Sequence, residues 1–282
     1  MIPNILRVFP TRNSYTPDDA TVCIGEPPLI LPEHDEIHIS CTFTWDKSYC
    51  EHLAYQYEGR SNKPMKLGGV AYGSPSENFV QGLYIKKNII FTSRGCNNNC
   101  PWCCVPKTEG RLKELPISVG NVIQDNNFLQ CSKQHKEKVF DMLRTQKSIC
   151  FKGGLEPDLI DDHFVSLLSD LGHHKVKELW LACDTEARLP EFERGCKMLA
   201  KAGFTREKIH CYVLSYGRNR EKDEQRARQV YAAGAMPFVQ LYRDFSETKT
   251  EYSADWNRWA RMWQRPAATR AHMEKGTEYT NF

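Results

Sequence analysis

The sequence predicts an α/β fold whose main body is a partial (β/α) barrel of five to six parallel strands. From Lys87 onward, short β-rich runs alternate with stretches whose apolar residues recur at helical spacing. This alternation is typical of parallel β-α units. Right-handed crossovers wind such units in one direction, which favours a partial barrel. A strand, a helix and a second strand precede this body as a small N-terminal β-α-β unit.

The N-terminal part begins with residues 1–34, which are rich in Pro, Thr and Asp and predict irregular structure. Three elements follow, in the order strand, helix and strand with a closing turn: HDEIHISCTF (34–43), DKSYCEHLAYQYEG (46–59) and KPMKLGGVAYG (63–73). A loop is predicted after them, through Pro75 and Asn78.

The main body is predicted from five β-rich runs and the helices between them. The runs lie at 88–93, 148–154, 176–184, 208–216 and 236–242. The intervening helical patterns lie at 133–146, 162–172, 189–203 and 221–234. We therefore divide the chain into an N-terminal segment, 1–86, the barrel, 87–250, and a C-terminal helix and tail, 251–282.

The last predicted helix, 254–265, separates two kinds of side chain. Its tryptophans share one face and its arginines another: Trp256, Trp259 and Trp263, against Arg258, Arg261 and Arg265. The Trp face is expected to pack on the barrel. The Arg face is either solvated or available to a nucleic acid.

Composition favours a globular protein over a membrane-spanning or a secreted one. The 282 residues are 40% hydrophobic and 26% charged, with a net charge of +3, which suits a globular protein and neither requires nor excludes a nucleic-acid partner. No run of about eighteen apolar residues is present, and the first residues lack the pattern of a signal peptide. We expect a cytoplasmic protein with no membrane partner.

Twelve cysteines are present, and four of them are crowded between Cys96 and Cys104. In a reducing cytoplasm a disulfide framework is not expected. The eight isolated cysteines are interpreted as small buried hydrophobic residues. The crowded group has the spacing C-x3-C-x2-C at Cys96, Cys100 and Cys103. Three thiolates on one short loop can hold three irons of a four-iron cluster and leave the fourth iron open to a small molecule.

The segment SRGCNNNCPWCC (93–104) resembles the signature of the radical S-adenosylmethionine superfamily, which follows the first barrel strand. Trp102, directly before the third cysteine, stands where that family places an aromatic ring against the adenine. Cys104 is extra, and the resemblance implies that it is not a ligand. The resemblance covers residues 87–245 well and 34–75 loosely, where the family often has a Rossmann-like unit. It is most similar to compact bacterial and phage members, and to the core of methylthiotransferases and cobalamin-type enzymes.

The next predicted strand ends in GGLE, where the family has a GGE element that binds the amino group of S-adenosylmethionine. Gly153 and Gly154 allow a ligand to approach the backbone closely, and Glu156 can accept hydrogen bonds from an ammonium group. Leu155 is inserted relative to the family pattern. Either Glu156 takes the family role, or only the glycine backbone does.

Polar residues also end the later predicted strands. Active sites of parallel barrels lie at these strand ends, so we expect four more cofactor contacts there: Asp184, Ser215, Gln240 and Tyr242. Alternation along the last strand puts Gln240 and Tyr242 on one face, opposite Val239 and Leu241. Solvated loops are the alternative for these strand ends.

The resemblance implies a radical S-adenosylmethionine enzyme with a [4Fe-4S] cluster. An electron from a flavodoxin-type or ferredoxin-type partner would cleave S-adenosylmethionine to a 5′-deoxyadenosyl radical, which abstracts hydrogen from a small-molecule or nucleotide substrate. Modification of an RNA or DNA base is the first alternative. A non-catalytic iron–sulfur or zinc module is the second, although no further C-x2-C pair is present to complete it.

Two specialised types within the family carry additional cofactor-binding motifs, which can be sought in this sequence. Cobalamin-binding members carry a D-x-H-x-x-G loop, and this sequence contains none. Methylthiotransferases hold a second cluster on three N-terminal cysteines. Cys23, Cys41 and Cys50 match the number but are more tightly spaced than in that family.

Overall fold

The computed structural model describes residues 3–73 and 80–274. Contacts divide the chain into two compact units. The first comprises residues 1–89, 107–109 and 243–250, and the second comprises 90–106, 110–242 and 251–282. The three segments proposed from the sequence remain a prediction of domain limits. Within the described residues, no helix is long and apolar enough to cross a membrane.

The first unit contains a four-stranded parallel sheet and one long helix. In chain order the elements are β1 (Ile5–Phe9), β2 (Val22–Ile24), β3 (Glu36–Ser40), α1 (Lys47–Glu58) and β4 (Met65–Gly68). The sheet order is β2-β1-β3-β4. The predicted strand, helix and strand are confirmed as β3, α1 and β4. The loop predicted through Pro75 and Asn78 lies outside the described residues.

The prediction that residues 1–34 are irregular was wrong, because β1 and β2 lie within them. A charged residue interrupts the apolar run of β1, and β2 is only three residues long. Arg7 is nevertheless buried, since its guanidinium donates to the Leu83 carbonyl at 2.8 Å and is paired with Asp19. These partners are 76 and 12 residues away in the chain. Local sequence pattern therefore does not reveal that this arginine belongs to a buried strand.

The second unit is built on a six-stranded sheet. Its strands are β5 (Ile89–Ile90), β8 (Val122–Ile123), β9 (Ile149–Leu155), β10 (Val176–Ala182), β11 (Ile209–Ser215) and β12 (Met236–Leu241). Two further short strands, β6 (Ser93–Arg94) and β7 (Lys113–Glu114), pair antiparallel to each other. The six strands lie side by side in chain order, from β5 at one edge to β12 at the other. The predicted α/β class with parallel strands is confirmed at this level.

The five predicted helices of this unit are present, and the structure contains two more that were not predicted, the first and the last of the following series. The helices are α2 (Val105–Thr108), α3 (Lys133–Leu143), α4 (Asp162–Leu171), α5 (Leu189–Lys201), α6 (Arg220–Ala232), α7 (Ala254–Trp263) and α8 (Pro266–Glu274). The run predicted at 88–93 is divided between β5 and β6, and β8 was not predicted at all. A strand of two residues carries too little periodicity to be recognised from sequence.

One face of the six-stranded sheet forms the main hydrophobic core. Leu179, Leu181, Val213 and Val239 are fully buried and belong to one cluster with apolar residues of the helices. Burying such side chains contributes about 1.5–3 kcal/mol each, which fixes the register of the strands. A polar strand-end residue on this face must therefore form buried hydrogen bonds, whereas one on the opposite face can reach solvent.

The opposite face carries an aromatic group that the sequence analysis did not identify. Trp180 stacks on His210 with ring centroids 4.6 Å apart, and it contacts Tyr212 and Phe238 at 4.7 and 5.4 Å. Its indole donates to Glu178 at 2.8 Å, and Glu178 pairs with Lys152 at 3.2 Å. Burial lowers the pKa of His210. These side chains form an aromatic and ionic layer beneath the strand ends.

The C-terminal helices are joined through one carboxylate, Glu224 of α6. It accepts hydrogen bonds from the indoles of Trp259 and Trp263 at 2.7 and 2.8 Å, and it pairs with Arg228 at 2.9 Å. Trp263 is fully buried, whereas the predicted arginine stripe of α7 is exposed. The predicted separation of a packing tryptophan face from an exposed arginine face is therefore confirmed, and contact of the arginines with a nucleic acid stays a prediction.

Glu224 should make stability depend on pH. Burial opposes its ionisation, but hydrogen bonds from His272, Trp259 and Trp263 outweigh burial and lower its pKa. A lowered folded-state pKa means that the stabilisation is complete above the ordinary value of 4.5 and is lost as pH falls through the folded value. We expect Glu224→Gln to reduce the free energy of unfolding by about 1–3 kcal/mol at neutral pH. The deficit should shrink in acid.

Denaturant unfolding followed by tryptophan fluorescence, at neutral and acidic pH, measures this dependence. Glu221→Gln is the matched control, because Glu221 is exposed on the same helix and should change stability by less than about 0.5 kcal/mol. A deficit for Glu224→Gln that is equal at both pH values would contradict the assignment.

Candidate functional site

The three cysteines of the motif lie on one loop that leaves β6. The Cys96 amide donates to the Gly110 carbonyl at 3.1 Å, which closes the loop at its base. The Cys103 amide donates to the Cys100 carbonyl at 3.0 Å, so the second half of the motif is a tight turn. All three cysteines are half-buried, and so is Cys104. The short spacing thus produces a single compact loop, as the motif predicts.

The thiol of Cys96 receives two N–H groups. The Asn98 amide lies 3.4 Å from its sulfur, and the side-chain nitrogen of Asn127 lies 3.8 Å from it. Burial raises the pKa of the Cys100 thiol, and the neighbouring Cys103, Cys96 and Asp184 add to this rise. Cys96 and Cys103 thus affect the ionisation of Cys100, although within residues 3–73 and 80–274 the three thiols are not arranged around a single metal position. Hydrogen bonds to sulfur are one of the means by which proteins adjust an iron–sulfur centre.

Residues 125–130 brace this loop through hydrogen bonds to its backbone. Asn126 accepts the Gly95 amide at 3.0 Å, and Gln130 accepts the Asn97 amide at 2.8 Å. Asp125 is buried and accepts bonds from the Thr92 amide and hydroxyl at 2.6 and 2.5 Å. Burial raises the pKa of Asp125, against these hydrogen bonds. The only sequence signal was a run of carboxylate and amide residues.

The two glycines of the GGLE element have different surroundings. A Cβ atom on Gly153 would lie 1.5 Å from the Asp125 carbonyl oxygen, so Gly153 allows β9 to contact the bracing segment. Gly154 has a φ of +101° and open space where its Cβ would be. Gly154 is therefore the position at which a ligand can approach the backbone.

Glu156 lies in a polar network beside the cysteine loop. Its carboxylate accepts the side-chain amides of Asn127 and Gln130 at 2.8 and 3.2 Å. Arg188 lies 3.7 Å from it and is also bound to Asp158. Asn127 donates to both Glu156 and Cys96, and its carbonyl oxygen is buried without a hydrogen-bond partner. One side chain thus joins the GGLE element to the predicted cluster loop.

Trp102 and Asp184 meet, although they are far apart in sequence. The Asp184 carboxylate accepts a hydrogen bond from the Trp102 side chain. Burial raises the pKa of Asp184, against this bond and the positive charge of Arg226. The residue before the third cysteine is therefore oriented by the end of β10. Two of the predicted contacts belong to one arrangement.

The last three predicted contacts differ in exposure. Ser215 is fully buried; its hydroxyl donates to Asp223 at 2.6 Å and accepts the Gly217 amide at 3.2 Å. Gln240 is exposed and Val239 is buried, as the predicted alternation requires, whereas Leu241 and Tyr242 are both half-buried. The Tyr242 amide donates to the Ser215 carbonyl at 2.7 Å. Ser215 therefore supports the strand ends from within, whereas Gln240 presents its side chain to solvent. Cofactor contact by any of these residues stays a prediction.

The N-terminal cysteines are buried in the first unit. Cys41 and Cys50 share a hydrogen bond between their thiols, which together with burial raises the pKa of Cys50. Cys23 interacts instead with the Tyr57 hydroxyl. A second cluster on these residues stays a prediction. Across residues 3–73 and 80–274, no three His, Cys, Asp or Glu side chains are arranged around a single metal ion.

The arrangement has the donor types that an iron–sulfur centre needs, with a carboxylate, an open glycine backbone and an indole beside it. Compared with models of known protein families and with curated proteins, the chain shows no match. Its function must therefore be inferred from the site itself.

Proposed function

We propose that this chain is a radical S-adenosylmethionine enzyme of partial-barrel architecture. The observation that carries the proposal is the loop with Cys96, Cys100 and Cys103. It follows β5, the first strand of the six-stranded sheet, after the short strand β6, and it is braced by the segment next to GGLE. The advance of six strands in chain order supports the partial barrel, since it is the order that right-handed crossovers produce.

The donor set suits a [4Fe-4S] cluster. Three thiols from one loop would hold three irons and leave one iron open. The two N–H groups near Cys96 suit a thiolate better than a thiol, because a thiolate is the stronger acceptor. When bound, such a cluster passes an electron to S-adenosylmethionine, whose sulfur–carbon bond breaks to give methionine and a 5′-deoxyadenosyl radical that takes hydrogen from substrate.

The chain's own residues would bind and orient the cofactor. Gly154 leaves backbone space, and Glu156 offers a carboxylate to an ammonium group. Trp102, held by Asp184, offers an aromatic surface to a planar base. Enclosing these groups excludes water, which protects a reactive radical. The electron would come from a flavodoxin-type or ferredoxin-type partner in a reducing cytoplasm.

Anaerobic reconstitution of the full chain with iron and sulfide tests the proposal. We expect a brown protein with about four irons per chain, which releases 5′-deoxyadenosine from S-adenosylmethionine when dithionite is added. A brown protein that leaves S-adenosylmethionine intact would favour an electron-transfer module. A colourless protein with one zinc ion would favour a structural zinc module. Either result would overturn the proposal.

A further inference from the structure

Tyr216 presents an aromatic ring to solvent at the end of β11. Its side chain is among the exposed large hydrophobic groups, with 42% of its surface accessible. The ring lies 5.0 Å from that of Tyr242 at an angle of 46°. The Arg218 guanidinium lies 5.9 Å from its centroid. The exposed ring of Tyr216, supported by the inclined ring of half-buried Tyr242, therefore offers an aromatic surface with a positive charge beside it.

The backbone beneath this ring is firmly held. Gly217 has a φ of +67°, and a Cβ there would lie 2.4 Å from the ring of Tyr252. The Gly217 amide donates to the Ser215 hydroxyl at 3.2 Å, and the Tyr252 hydroxyl donates to the Tyr242 carbonyl at 2.5 Å. The turn that exposes Tyr216 is thus fixed by packing and hydrogen bonds. A fixed support lowers the entropy lost when a ligand binds to the ring.

The ring lies beside the proposed cofactor site. The Cys183 amide donates to the Tyr212 carbonyl at 2.9 Å, so the end of β11 that leads to Tyr216 lies beside the end of β10 that leads to Asp184. A ligand stacked on Tyr216 would therefore lie at the same edge of the sheet as the predicted cofactor contacts.

The residues after Tyr216 are cationic. Arg218 and Lys222 are exposed, whereas Arg220, the first residue of α6, is paired with Asp255. Glu221 is the one acidic residue between Tyr216 and Lys222. Positive charge next to a flat ring favours a ligand that has both a planar base and a phosphate over an uncharged aromatic or an aliphatic one.

We propose that Tyr216, Tyr242 and Arg218 form a stacking platform that binds the nucleobase of the substrate. A nucleotide and a single-stranded nucleic acid both present this ring with a phosphate, and the experiment below distinguishes them. Calling the bound base a substrate rests on the proposed function. The binding itself requires only the described tyrosines and the cationic segment that follows them.

Fluorescence anisotropy of the full chain with labelled single-stranded RNA and DNA oligonucleotides tests the platform. We expect binding that weakens with salt, and Tyr216→Ala should weaken it by about 5- to 150-fold. Tyr216→Phe should retain most of it, because the ring is kept. Arg218→Ala should weaken binding and reduce the salt dependence. Tyr55→Ala is the matched control, since Tyr55 is 74% exposed on α1 of the other unit.

Competition by mononucleotides separates the two sources of the base. If mononucleotides displace the labelled oligonucleotide at the same total concentration of bases as unlabelled oligonucleotides do, the substrate is a nucleotide. If only oligonucleotides displace it, the substrate is a nucleic acid. The platform is excluded if Tyr216→Ala binds as tightly as the wild type, if neither ligand binds, or if only an Arg258→Ala/Arg261→Ala pair loses binding. Because the assay needs no cluster, failure of the radical chemistry would leave its result unchanged, and the reconstitution result is likewise independent of Tyr216.

Discussion

Alanine at Cys96, Cys100 or Cys103 is expected to abolish both the cluster and the cleavage of S-adenosylmethionine. Each change removes one of three thiols on a single loop, and two thiolates from the loop do not retain a four-iron cluster. Iron after anaerobic reconstitution should fall from about four per chain to below about one. Release of 5′-deoxyadenosine should fall to the level of a reaction without protein.

Cys104→Ala is the matched control for these variants. Cys104 is adjacent to Cys103 and is also half-buried, so it has similar access to iron and sulfide. The control should keep the full iron content and activity. Circular dichroism of all four variants shows whether loss of iron reflects lost folding. Wild-type iron content and cleavage in any one of the three ligand variants would refute the assignment.

Gly153→Ala is expected to cause a large loss of stability, because no other glycine in residues 3–73 and 80–274 has a closer neighbour to an added Cβ. The added Cβ would lie 1.5 Å from the Asp125 carbonyl oxygen and 2.6 Å from its carbonyl carbon. Both partners are backbone atoms, so a rotamer change cannot relieve the clash. Overpacking typically costs about 1–3 kcal/mol, and a clash between two backbones should reach or exceed the upper value.

Gly154→Ala is the control for Gly153→Ala, because it adds the same methyl group to the next residue. Open space surrounds that position, so only the φ of +101° opposes the side chain. Its expected cost is about 1–2 kcal/mol. Denaturant unfolding compares the two variants. Equal stability of both would show that β9 does not contact the bracing segment as described.

Much of the fold could be predicted from the periodic spacing of apolar residues along the sequence. The long strands β9 to β12 and the helices between them have clear patterns, so their order and parallel pairing were predictable. β1 was missed because the partners that neutralise Arg7 are distant in sequence, and β8 because two residues carry no period. Pairings between remote residues cannot be read from a local pattern.

Those parts of the candidate site could be predicted whose side chains lie together in one short segment of sequence. The cysteine spacing, Trp102 and GGLE are of this kind. The hydrogen bond between Trp102 and Asp184, and the two bonds of Asn127, join segments that meet only after the sheet has formed. Ser215 shows the opposite case, since a polar strand-end residue was equally compatible with a ligand contact and with the buried bond it makes to Asp223.

The brace at residues 125–130 has a consequence for how the protein matures. Its bonds to the cysteine loop cross 31 to 33 residues of chain, and its contact with Glu156 crosses 29 more. During synthesis the cysteines emerge first, when nothing yet holds their loop in shape. A nascent chain that ends before Glu156 has its three thiols in a flexible peptide. A chain that extends beyond Glu156 can form the brace, which orders the cysteine loop. Under the proposed function, iron should therefore be inserted only after β9 has been synthesised, and chains stalled earlier should not retain the metal.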